Sequence, residues 1–222
     1  MCSSDLQLRF EMPPIREFLS VPLPRRKAAL MATIERASRR IVLYEIDRET
    51  IESTGDRDAS IEIYSFLGEG NREQLLTDVN GDGLIDLIAT NPSDNTIVVY
   101  AQRKGESISA GVASATLSRV DFIAACDIDG DGQQELFVLS EDEGVVGRST
   151  MSGLQLPFPK PIPFTAGNIP VSLSAVTLGD QMKIAVISKQ KRSYVIDLID
   201  HAGQKESIDL GTLSRGPNEI IG

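Results

Sequence analysis

The chain has 222 residues, of which 41% are hydrophobic, and its 22 Lys and Arg face 32 Asp and Glu for a formal net charge of -10. That is enough apolar material for a core, and the acidic excess excludes any broad electrostatic attraction to nucleic acid or anionic lipid. Two cysteines, Cys2 and Cys126, and one histidine, His201, exclude a disulfide framework, a zinc site and mechanisms built on paired histidines, and no run reaches the roughly 18 to 20 apolar residues of a membrane-spanning helix.

Residues 1–27 are expected to form an N-terminal tail. Its first six, Met1 to Leu6, resemble the translation of a sequencing adapter and are left out of fold reasoning. No basic segment followed by an apolar one opens the chain, so an export signal, if the protein has one, is expected outside this sequence. From Arg26 to Arg40 the composition is rich in Ala, Leu, Met, Glu and Arg and locally favours a helix. A strand hairpin is expected instead. Leu30-Met31-Ala32-Thr33 aligns with Leu87-Ile88-Ala89-Thr90, and Ile41-Val42-Leu43-Tyr44 with Ile97-Val98-Val99-Tyr100.

Those alignments belong to a repeat. The stretch from Asp78 to Ala89 lines up without gaps on the stretch from Asp127 to Val138, an offset of 49 residues, and a further step of 48 carries Leu136-Phe137-Val138 onto Ile184-Ala185-Val186. Four units follow, about 28–70, 71–119, 120–169 and 170–222, the first lacking its leading part. Each has a short apolar run before a loop, a second run after it, a polar turn, a third run rich in β-branched and aromatic residues, and a more polar fourth stretch. About four short strands per unit cannot bury both faces alone, so neighbouring units must stack. Leu156 to Pro163, with proline at every second position, is expected to be an extended edge or a connection between units. Cys126 continues an apolar run and is expected in the core; His201, in Asp200-His201-Ala202-Gly203, is expected in a solvated turn.

The chemistry is concentrated in two loops. The pattern Asp-x-(Asp/Asn)-x-Asp-Gly-x-x-(Asp/Glu) sets oxygen-bearing side chains at alternate positions of a tight turn, which suits a hard divalent cation that takes 6 to 8 oxygens. In the first loop the candidate ligands are Asp78, Asn80, Asp82 and Asp86, with the backbone oxygen of Leu84. In the second they are Asp127, Asp129, Asp131 and Glu135, with the backbone oxygen of Gln133. Gly83 and Gly132 are expected to take the left-handed conformation that keeps the ligands convergent. Two carboxylates about 5 Å apart repel by roughly 3 kcal/mol at an effective dielectric near 20, so a bound Ca²⁺ at each site is expected to support folding. Four acids against three favour the second loop. The third copy has Ala175, Thr177, Gly179 and Lys183 where ligands should stand, and no calcium is expected there.

These residues resemble the FG-GAP and VCBS repeats of integrin-like β-propellers, whose blades carry a calcium loop between two strands. The resemblance is strong over 72–150, moderate over 170–200 and weak before 70. It implies an all-β fold, a partial β-propeller of about four blades of short antiparallel strands with calcium loops in two of them. EF-hands share the opening of the loop but need a closing acid, where this chain has Ala89 and Val138. Because a closed propeller needs more blades, the chain is expected to be a fragment, with further blades or domains elsewhere in the full-length protein.

The resemblance further implies a non-catalytic, calcium-stabilised module of a secreted, periplasmic or cell-surface protein that binds a protein or glycan ligand. An alternative is the propeller part of a secreted carbohydrate-active enzyme, a polysaccharide lyase or hydrolase. No pair of carboxylates outside the metal loops stands out as an acid and base, so no catalytic residue is assigned. A scaffold that only spaces other domains is the third reading.

Overall fold

The computed structural model describes residues 13–22, 28–37, 41–47, 60–64, 73–103 and 109–212. Among them there is no helix, and the strands form four antiparallel four-stranded sheets whose members follow one another in chain order. Two compact units divide the chain, Met1–Phe66 and Leu67–Gly222.

The first unit holds one sheet: β1 (Ile15–Pro22), β2 (Ala28–Glu35), β3 (Ile41–Asp47) and β4 (Ser60–Tyr64). Residues 28–35 are extended, as the repeat alignment requires and against their local helical composition. Leu30, Ala32, Thr33 and Ile34 are buried, so burial within the sheet overrides propensity. The tail expected over residues 1–27 differs from what is seen: Ile15 to Pro22 pairs along β2 from Glu35 to Ala29. Half-buried and exposed residues alternate along β1, the mark of a strand with one covered face. It takes the place of a unit's leading strand, but Leu23 to Lys27 between it and β2 hold none of the acids that follow the leading strand where the repeat is plainest, which is why the repeat did not disclose it.

The second unit holds three sheets. The first is β5 (Gln74–Thr77), β6 (Asp86–Asn91), β7 (Thr96–Tyr100) and β8 (Val112–Ala115). The second is β9 (Phe122–Cys126), β10 (Glu135–Ser140), β11 (Val145–Thr150) and β12 (Lys160–Pro161). The third is β13 (Ile169–Leu178), β14 (Gln181–Gln190), β15 (Ser193–Ile199) and β16 (Lys205–Thr212).

Period-two geometry turns β10 into a wall between two cores. Leu136 and Val138 join Ile88, Ile97 and Val99 of the first sheet, with Leu117, Met151 and Leu156 filling in. Phe137 and Leu139 point the other way and join Leu173, Ile184, Val186 and Ile199 of the third sheet. Every residue of β10 is buried. Each large side chain removed from water in this way contributes about 1.5 to 3 kcal/mol, so the three sheets are held mainly by their facing surfaces. Cys126 lies in the second of these cores as expected, and burial, reinforced by the charges of Glu135 and Asp127, pushes its thiol up to about 11.

The first strand of the middle sheet, β9, runs beside β5 on one side and β13 on the other. The connections that leave these three strands therefore share one rim of the stack. The proline segment supplies the outer edge of the middle sheet, where Lys160 and Pro161 pair with Arg148 and Gly147 of β11. A Cβ at Gly147 would sit 2.7 Å from Pro159 Cβ, so the close approach of this edge requires glycine.

Candidate metal centre

The first acid loop, residues 78–85, joins β5 to β6, and the second, residues 127–134, joins β9 to β10. Neither can satisfy its backbone N–H groups by strand pairing, and both solve the problem with carboxylates. Asp78 Oδ1 accepts from the N–H groups of Gly81 (2.8 Å) and Asp82 (3.2 Å), and its Oδ2 from Gly83 (2.8 Å). Asp127 accepts from the equivalent donors, with Oδ1 2.7 Å from Gly130 N and 3.1 Å from Asp131 N, and Oδ2 2.9 Å from Gly132 N. Asp82 Oδ1 accepts from Leu84 N, as Asp131 Oδ1 does from Gln133 N, both at 2.8 Å. Gly83 and Gly132 take φ of 81° and 88°, the left-handed region expected of them. From the first position to the seventh the two loops thus fold alike.

The ninth position is different in kind. Asp86 and Glu135 open β6 and β10 and are buried. Asp86 Oδ2 accepts from Val79 N at 2.9 Å and its Oδ1 from Gln102 N at 2.8 Å, while Glu135 Oε2 accepts from Ile128 N at 3.1 Å. Each acid therefore braces the start of its own loop. Burial is the largest influence on Asp86 and raises it to about 6, against the opposing bonds from Val79 and Gln102; the charges of Asp82 and Asp78 add to the rise.

Carboxylate oxygens of Asp127, Asp129 and Glu135 lie within 4.8 Å of one another, the one such trio among the described residues. In the first loop the position aligned with Asp129 is Asn80, whose Nδ2 donates to Asp82 Oδ2 at 3.1 Å and whose Oδ1 accepts from Asp82 N at 3.0 Å. An all-oxygen donor set at this spacing fits a hard cation such as calcium or magnesium and offers nothing to a soft one. Leu84 is half-buried and Gln133 exposed, both at the rim where a backbone oxygen would be needed.

The second trio has a neighbour that the sequence did not reveal. Arg148, on β11, places Nη2 2.7 Å from Glu135 Oε1 and 3.0 Å from Asp129 Oδ2, and its Nη1 donates to the backbone oxygen of His201 at 3.3 Å. Burial opposes the charge on the guanidinium, but the bond and charge of Glu135, then those of Asp129, outweigh it and hold Arg148 above its ordinary value. One guanidinium against four carboxylates leaves the second loop with the same formal charge as the three carboxylates of the first. A second unforeseen link joins the loops themselves, for Thr77 Oγ1 donates to Gln134 Oε1 at 2.7 Å.

The third copy is no loop at all. Ala175, Thr177 and Lys183 lie in paired strands, from Ala175 opposite Ile184 to Leu178 opposite Gln181, and only Gly179 and Asp180 turn the chain. Lys183 Nζ lies 3.7 Å from Glu206 Oε2.

Residues 78–138 match the family of FG-GAP-like repeats. That span starts on the first acid of the first loop and ends within β10, so it contains both acid loops, the four strands between them, β6 to β9, and the first part of β10. No curated protein matches the chain.

Proposed function

We propose that this FG-GAP repeat protein is a calcium-stabilised, non-catalytic propeller module of a secreted, periplasmic or cell-surface protein, and that it presents its surface to a protein or glycan ligand. The observation that carries this reading is the duplicated loop: two stretches 49 residues apart fold their acids around the same backbone amides, and in the second three carboxylates converge. Alternating acids that served only as turn formers would not need a ninth-position carboxylate buried at the foot of each loop.

In this reading Asp78, Asn80, Asp82 and Asp86 hold one ion with the backbone oxygen of Leu84, and Asp127, Asp129, Asp131 and Glu135 hold the other with that of Gln133. A bound cation cancels the repulsion among acids that the chain gathers, so it ties adjoining strands together and adds binding free energy to folding. Millimolar calcium outside the cell suffices for modules with dissociation constants of about 10⁻⁴ to 10⁻³ M. Non-catalytic use follows from the same bookkeeping of acids, since the converging carboxylates are the ones assigned to the ions.

Thermal melts in calcium, magnesium and chelator test the metal reading. Calcium should raise the melting temperature, and Asp127→Ala or Asp131→Ala should shrink the rise; equal melts in calcium and chelator would sink it. Glycan arrays and pull-downs test the binding reading, release of reducing sugar from polysaccharides tests the enzymatic rival, and silence in all three would leave a spacer.

A further inference from the structure

We propose that Arg148 is a resident counter-cation of the second acid loop, which a divalent ion must displace, and that this exchange couples the loop to the turn between β15 and β16. The inference rests on the reading of the loops as ion sites and adds to it a residue that sets the affinity of one of them.

Three observations lead there. First, Arg148 takes two of the three converging acids, Glu135 at 2.7 Å and Asp129 at 3.0 Å, so it competes for carboxylates that an ion would use. A guanidinium and a divalent cation held by the same oxygens repel each other, and the two are alternative occupants. Second, the position that corresponds to Arg148 in the first sheet carries no charge. By the same 49-residue offset Val99 stands in the place of Arg148, fully buried in the apolar core between the first two sheets. Third, the guanidinium is not confined to its own sheet. Its Nη1 donates to the His201 carbonyl in the turn that closes β15 onto β16. That turn is otherwise held by Asp200, whose Oδ1 accepts from Ala202 N and Gln204 N, and by the backbone pair of Asp200 and Gln204.

The exchange has a simple balance. When an ion enters, Asp129 and Glu135 turn their charge to it, Arg148 loses both ion pairs, and its hold on the His201 carbonyl goes with them. The four-carboxylate advantage of the second loop is therefore spent on displacing an internal cation. Arg148 acts as a positioning residue for the acids in the ion-free chain and as a competitor in the loaded one.

Calcium titration by calorimetry separates these roles. In an Asp78→Ala background, which disables the first loop, Arg148→Met should tighten calcium binding at the second loop by about tenfold, a coupling of ordinary size between two ligands of one site. Arg148→Lys should stay near the parent, since it keeps the charge. A purely structural arginine predicts the reverse, unchanged or weaker binding on its removal. Should Arg148→Met fail to fold, the unmodified chain answers instead: calcium additions monitored by ¹⁵N NMR should shift the Arg148 side-chain signal and the backbone amides of residues 201–203 together. Equal affinities with Arg148 and with Met in its place, or an Arg148 signal that stays still while the second loop fills, would overturn the role of Arg148 and leave the ion sites standing. No uptake by any of these chains would overturn the ion-site reading itself, and Arg148's role with it.

Discussion

Between β5 and β6, and again between β9 and β10, a long acidic connection spans two strands; between β13 and β14 Gly179 and Asp180 alone do so. In the first two cases the backbone N–H groups of the connection are satisfied by carboxylates, and in the third by the opposite strand, which pairs out to Leu178 and Gln181. The contrast bears on the proposed ion sites. A unit that needs only to join two strands does so with a glycine turn and zips the strands to the end. A unit that keeps an open loop must hold charges together that repel, which costs stability unless a cation offsets it. The last unit, without those charges, carries Lys183 on the strand that the loop would otherwise precede.

The largest effect should come from what all three units share. Phe137→Ala empties the core between the second and third sheets and should cost about 3–5 kcal/mol, equally in calcium and in chelator, as measured by urea denaturation. A calcium-dependent loss there would break the separation between packing and loop chemistry. Next, Asp127→Ala removes the acceptor of three loop amides and should cost about 1–2 kcal/mol in chelator. In calcium the loss should be larger, and an identical loss would mean that the second loop is a turn like the third.

Asp86 sharpens the comparison through pH. Its folded-state value of about 6 lies above its ordinary 3.8, so between those values the folded chain binds more protons than the unfolded one. Without calcium, stability should fall as pH rises from about 4 to about 6, and Asp86→Asn should flatten that slope; a melting temperature that climbs through this window and is insensitive to Asp86→Asn would count against a buried, charge-strained acid. The smallest effect belongs to the last unit. Gly179 has a φ of 63°, and Gly179→Ala should cost about 1 kcal/mol with no dependence on calcium.

How far the sequence disclosed this arrangement depended on distance along the chain. The loops were legible because their logic is local: alternate acids and a glycine within nine residues announce a tight oxygen-lined turn, and the repeat placed both at the same point of a sheet. The strands β6, β10 and β14 were legible as one apolar triplet copied twice. Arg148 was not, because it reaches Glu135 across a strand pair, 13 positions away, and nothing in its immediate neighbours marks it as facing acids rather than water. Asp86 was read as a ligand from its spacing, while its burial against Val79 and Gln102 depends on the folded sheet. β1 escaped because it holds the place of β5, β9 and β13 without an acid loop after it to mark that place.

The two-sided burial of β10 has an implication for how such a protein can be cut. A domain with one interior can lose an outlying sheet and expose a single bare surface at its margin. Here the middle sheet serves as a party wall: removing the sheet before it uncovers Leu136 and Val138, and removing the one after it uncovers Phe137 and Leu139. A lone repeat excised for study would present greasy surfaces on both sides, and would sooner pair with its own copies than stay monomeric.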